Sequence, residues 1–133
     1  MSTLVVNTLK GQSGSLPPVI QNSSGTEVGK FCRAFVFFDE DGTILQSSGT
    51  NQAFNVSSVN DQGSSEYHIN FATAFPDAFY MPVVQASSND DGRAAISASG
   101  QNSSTVCKLY TRSGFTSSRS DATNNMVTIW SVV

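Results

Sequence analysis

The sequence predicts an all-β domain, an antiparallel β-sandwich of jelly-roll-like pattern behind an extended N-terminal arm. Three observations predict it. Charged residues make up only 13% of the 133 residues, and Ser, Thr, Asn, Gln and Gly take their place. Soluble helices carry Glu, Lys and Arg on their wet face, so this composition disfavours long helices. Short runs rich in Val, Phe, Ile and Thr alternate apolar with polar residues, the period of half-buried strands. Turn-forming Gly, Asn, Asp and Pro recur between those runs with the rhythm of a sandwich.

Thr3 to Leu9, "TLVVNTL", is a short strand-like run, and "KGQSGSLPPVIQNSSGTEVGK" follows with little periodicity. Its Pro17-Pro18 pair enforces an extended path and is excluded from the interior of a sheet. Residues 1–30 therefore read as an attachment arm, and 31–133 as the sandwich domain. In "FCRAFVFF", Phe31, Phe35 and Phe37 share one face, while Cys32, Ala34, Val36 and Phe38 share the other. "DEDGTI" reads as a hairpin turn. "AFNVSSV" (53–59), the polar loop 60–65 and "EYHINF" (66–71) come next; Tyr67, Ile69 and Phe71 point one way, Glu66, His68 and Asn70 the other.

Pro76-Asp77 turns the chain into "AFYMPVVQAS", where Pro82 marks a sheet edge or the opening residues of a strand. "SNDDGR" is another turn, and "AAISAS", "TVCKLYT" and "MVTIWSVV" complete the strands. In the last of these Met126, Trp130 and Val132 lie on one side, and Val127, Ile129 and Val133 on the other. A sandwich strand normally buries one face and wets the other. Strands apolar on both faces need a second partner, and identical subunits supply it most simply. Phe35, Val36, Phe37, Ile129 and Trp130 are therefore the candidate oligomer interface.

The net charge of −3 and the acidic isoelectric point, near 4.8, leave no basic cluster to neutralise phosphates, so neither nucleic acid nor an anionic membrane surface is an expected partner. No run is long and apolar enough for membrane insertion. "MSTLVVNTLKGQ" lacks the basic and apolar regions of a signal peptide, so synthesis in a cytoplasm is expected. Cys32 and Cys107 lack metal-ligand spacing and sit in apolar alternating runs; they read as plain buried thiols, with a disulfide as the alternative.

The stretch "RAFVFFDEDGTI" followed by "AFNVSSVNDQGSSEYHINFATAFPDAFY" resembles a module of tail fibre and related virion proteins of bacteriophages, especially those of marine and cyanobacterial hosts. The likeness covers Phe31 to about Tyr80. It departs at "VFFDED" and where a loop glycine is replaced at Ser64 or Ser65. The resemblance implies a virion component, assembled in a host cytoplasm, homotrimeric and joined to other virion proteins through residues 1–30. Within the motif, Phe54, Val56, Tyr67, Ile69 and Phe71 read as core, Asp61-Gln62-Gly63 as a turn and Pro76-Asp77 as a strand-entry corner.

Residues able to do chemistry are few. His68, the single histidine, lies on a polar strand face with no ligand partner at metal spacing. "DEDG" and "NDDG" cluster carboxylates that suit Ca²⁺, but neither fits an EF-hand loop and Asp-Gly is common hairpin chemistry. No nucleophile elbow, phosphate loop or dinucleotide fingerprint is present. The expected protein is thus non-enzymatic, without cofactor or metal. The loop "YTRSGFTSSRSD" offers the one recognition candidate. There Tyr110 and Phe115 can stack on a host-surface glycan, and Arg112 and Arg119 can hold anionic groups. A capsid decoration protein and a carbohydrate-binding module are the alternatives to a tail fibre.

Overall fold

The computed structural model describes residues 20–29, 31–63, 65–87, 92–97, 102–113 and 121–131, with the side chains of 92–97, 112–113 and 131 outside that description. Contacts divide the chain into two units, Met1–Phe31 and Cys32–Val133. In the first, β1 (Ile20–Gln21) pairs with β2 (Glu27–Gly29) as an antiparallel hairpin. Its turn is organised by Asn22, whose side-chain oxygen accepts from the backbone N–H groups of Ser24 and Thr26. Part of the stretch expected to be an extended attachment arm therefore forms a β-hairpin.

The second unit is all-β. Its strands are β3 (Cys32–Phe38), β4 (Gln46–Ser47), β5 (Thr50–Asn51), β6 (Ala53–Phe54), β7 (Val56–Asp61), β8 (Glu66–Phe71), β9 (Tyr80–Ser87), β10 (Gly92–Ser97), β11 (Val106–Ser113) and β12 (Asn124–Ser131). After β3 the Asp39 carboxylate accepts from the N–H groups of Asp41 and Thr43, so "DEDG" is a side-chain-capped turn. Gly42 is required there. Its φ is +78°, and a Cβ would stand 2.9 Å from the Val59 carbonyl oxygen. The small hairpin β4–β5, turned by Ser48 and Gly49 at positive φ, had no counterpart in the sequence reading.

One antiparallel sheet runs in the order β6-β3-β12-β9-β10-β11-β8-β7. All eight strands belong to this single sheet, which folds over so that two leaves face each other across a shared core. Leaf one is β6-β3-β12-β9 and leaf two is β10-β11-β8-β7. They are joined where Ser87 and Ala86 of β9 pair with Gly92 and Arg93 of β10. Beyond those pairs β9 is free of β10, so Pro82, which cannot donate a ladder bond, runs along an opened edge.

The other seam is made by Asn55, the single residue between the end strands β6 and β7. It adopts φ 54°, a left-handed conformation that breaks the extended run between the two strands. Its side-chain amide donates to the carbonyls of Arg33 and Thr73, and its side-chain oxygen accepts from the Thr73 N–H at 2.7 Å. One side chain thereby ties the start of β3 to the chain leaving β8.

The core fills the space between the leaves. Ala34, Val36, Phe38, Val127 and Ile129 come from leaf one, and Val59, Tyr67, Ile69, Cys107 and Leu109 from leaf two. Phe38 meets Tyr67 edge-on at 5.1 Å, and Phe71, Phe75 and Tyr80 form a second aromatic cluster. Each fully buried aliphatic side chain contributes roughly 1.5–3 kcal/mol. The alternation expected for "EYHINF" is observed: Tyr67, Ile69 and Phe71 are buried and their neighbours are half-exposed.

Candidate functional site

The two leaves turn different chemistry outward. On leaf two, β8 presents Glu66, His68 and Asn70, with Lys108 opposite His68 and Tyr110 opposite Glu66 on β11. His68 Nε2 lies 2.8 Å from Glu66 Oε1, and Asn70 donates to the Ser58 hydroxyl. The bond from His68, with a smaller one from Tyr110, holds the Glu66 carboxyl below its ordinary range against a modest desolvation cost. This is a wet face whose polar groups are paired with one another.

Leaf one is apolar outside as well as inside. On β3 the outward residues include Phe35 and Phe37; on β6, Phe54 stacks on Phe35 with centroids 6.1 Å apart. On β12 they are Met126, Thr128 and Trp130, all half-buried. On β9, Met81 and Val83 are 57% and 51% exposed, Phe54 is 55% exposed and Phe37 37%. Phe79, just before β9, continues the same alternation and stands open. Phe37, Met126, Leu45 and Gln85 also line a hollow of about 200 Å³ at one end of this face.

The expected interface residues therefore separate. Phe35, Phe37 and Trp130 lie on the outer face. Val36 and Ile129 do not: both are fully buried between the leaves, because odd and even residues of β3 and β12 point to opposite sides. They belong to the chain's own core. Phe54, expected in the core, points outward, because the left-handed turn at Asn55 breaks the continuity of "AFNVSSV". Met81 and Val83 were missed, although the alternation Tyr80, Pro82, Val84 against Met81, Val83, Gln85 carries the signal.

The recognition candidates are also redistributed. Tyr110 and Arg112 belong to β11 rather than to a loop, and Phe115 and Arg119 lie outside the described residues. The "NDDG" turn before β10 also lies mostly outside them. Val132 and Val133 do as well. Among the described residues no three His, Cys, Asp or Glu side chains gather as a metal site. Both cysteines are free thiols. Cys107 is buried and its thiol is pushed up to about 12 by desolvation, which the Tyr80 hydroxyl offsets only in part. Burial first, then the Asp121 carboxylate, raises the Tyr67 hydroxyl above its usual range. Compared with known proteins, the chain matches no family model, no curated protein and no solved structure.

Proposed function

We propose that the chain is a structural component of a bacteriophage particle, a homotrimeric tail fibre or similar appendage module that acts by assembly and contact rather than catalysis. In this reading residues 1–30 join it to other virion proteins, and the end of the domain bearing Tyr110 and Arg112 contacts a host-surface glycan. The observation that carries it is the fate of the motif stretch. Between Phe54 and Tyr80 the residues with distinctive side chains are spent on architecture: Asn55 on the seam, Gly63 at φ 76° on the turn, Tyr67, Ile69, Phe71 and Phe75 on the core. The neutral, apolar outer face of leaf one supports a protein made to be assembled.

Antibody raised against the chain, applied with immunogold to purified phage particles and paired with quantitative mass spectrometry, tests the reading. Label at the tail with few copies per particle is expected. Copies in the range of the capsid subunits would move the protein to the capsid surface as a decoration protein. A chain absent from particles would end the virion reading altogether.

A further inference from the structure

We propose that the outer face of β6, β3, β12 and β9 is the contact surface for a second copy of this chain; the inference rests on the assembling role proposed above and names the surface and partner it uses. The strand register sets the face out in rows. Phe54 stands opposite Phe35, Phe35 opposite Thr128 and Thr128 opposite Val83. Phe37, Met126 and Gln85 form the next row, and Trp130 stands opposite Met81. With strands about 4.8 Å apart and outward residues about 7 Å apart along each, the rows cover on the order of 400 Å². That reaches the size of the largest apolar patches monomers leave open, and is about half of what one partner gives to a standard interface. Gln85, Ser87 and Asn124 at the margin provide the polar rim that completes such an area.

The chemistry of the face selects its occupant. Two of its polar groups are already partnered inside the chain: the Trp130 indole N–H donates to the Thr128 hydroxyl at 3.3 Å, and the Cys32 thiol to the Ala34 carbonyl at 3.1 Å. The one charged side chain on the outward positions of the described strands of leaf one, Arg33, has its guanidinium 5.2 Å over the Phe75 ring. With Arg33 and Gln85 left at the wet margin, the centre of the face around Phe35, Thr128, Trp130, Met81 and Val83 can become dry without stranding a charge. Apart from Arg33 it offers nothing to an acidic peptide, a phosphate backbone or a charged sugar. What it fits is another neutral, apolar surface, and the same faces of neighbouring copies gathered about a threefold axis offer such a surface to one another.

The experiment is solution mass by light scattering, with the emission of Trp130, the chain's one tryptophan, as a local reporter. The full chain is expected at a multiple of 14.1 kDa, with Trp130 emission moving to the red as dilution separates the copies. Val83→Glu places carboxylates against the partner's apolar face and weakens association on the order of 100-fold or more. Asn60→Glu, on the wet face of leaf two, leaves the mass unchanged. A monomer at high concentration overturns the proposal, as does an oligomer that dissociates with no change at Trp130. So does an oligomer unaffected by a Val83→Glu chain that melts like the wild type; Met81→Ser, which adds no charge, gives the same comparison if Val83→Glu does not fold. A monomer that is nonetheless found in phage particles would overturn this surface alone, and an oligomer absent from particles would overturn only the virion reading.

Discussion

At Asn55 two demands fall on one side chain. The backbone needs a left-handed conformation there, and three hydrogen bonds must hold the ends of the sheet together. Ala meets neither demand and Gly meets the first. Asn55→Ala is expected to cost ~2–3 kcal/mol and Asn55→Gly distinctly less, read by urea denaturation. Equal losses would mean that the backbone conformation contributes nothing. At Gly42 the Val59 carbonyl blocks any Cβ, so Gly42→Ala is expected to cost ~2 kcal/mol or more. The Tyr67 hydroxyl donates to the Glu40 carbonyl at 2.9 Å and stands 3.3 Å from Asp121 Oδ1, tying two loops to the core. Tyr67→Phe should cost ~1–2 kcal/mol in the same assay.

Glu66 gives the residue scale a pH signature. Its folded-state carboxyl titrates below the reference value of 4.5, chiefly through His68. A lowered carboxyl supplies stability that is present above the unfolded value and lost as pH falls through the folded one. In His68→Ala the Glu66 titration, followed by NMR, should move up toward 4.5, and the added stability above that pH should shrink. An unmoved titration would remove His68 as the cause.

At the scale of elements, the sequence was legible where alternation was strong and local. In β8 the alternation alone sorted Tyr67, Ile69 and Phe71 from Glu66, His68 and Asn70. In β3 and β12 it exposed the two apolar faces, but not which one the chain fills by itself. That choice depends on long-range pairing: Val36 is interior because β3 closes against β12 and β6 and faces leaf two, which no local pattern reports. The hairpins β1–β2 and β4–β5 escaped because strands of two or three residues are too short to show a period. The role of Asn55 escaped because its partners lie 18 and 22 residues away. The strand expected to end at Thr111 runs on to Ser113, because its pairing with β10 continues through Arg112 and Ser113. Inside β11, Cys107 offers a check on core rigidity. A thiol pushed up to about 12 by burial and fully enclosed should resist a thiol reagent at neutral pH and react at once in denaturant. Rapid labelling of Cys107 in the native protein would show that leaf two opens readily.

At the scale of the domain Cys32–Val133, one sheet makes its own core by folding over and is left with two unlike outer surfaces. Among the described residues of leaf two, the outward side chains of β8 are polar and bonded to polar neighbours. Leaf one ends in a second apolar layer, with Phe54, Met81 and Val83 more than half exposed. A single copy has already filled its interior with Val36, Ile129 and their neighbours, so it has no further use for that layer. A chain with so few charges thus carries one polar outer face and one apolar outer face, and the apolar one is the surface proposed for association. The most direct measurement is site-specific photocrosslinking from Val83, with the linked peptides sequenced by mass spectrometry. Links between chains that land on β3, β6, β9 or β12 are the predicted result, and links that land on β7, β8 or β11 of a neighbour, or within one chain only, would contradict it.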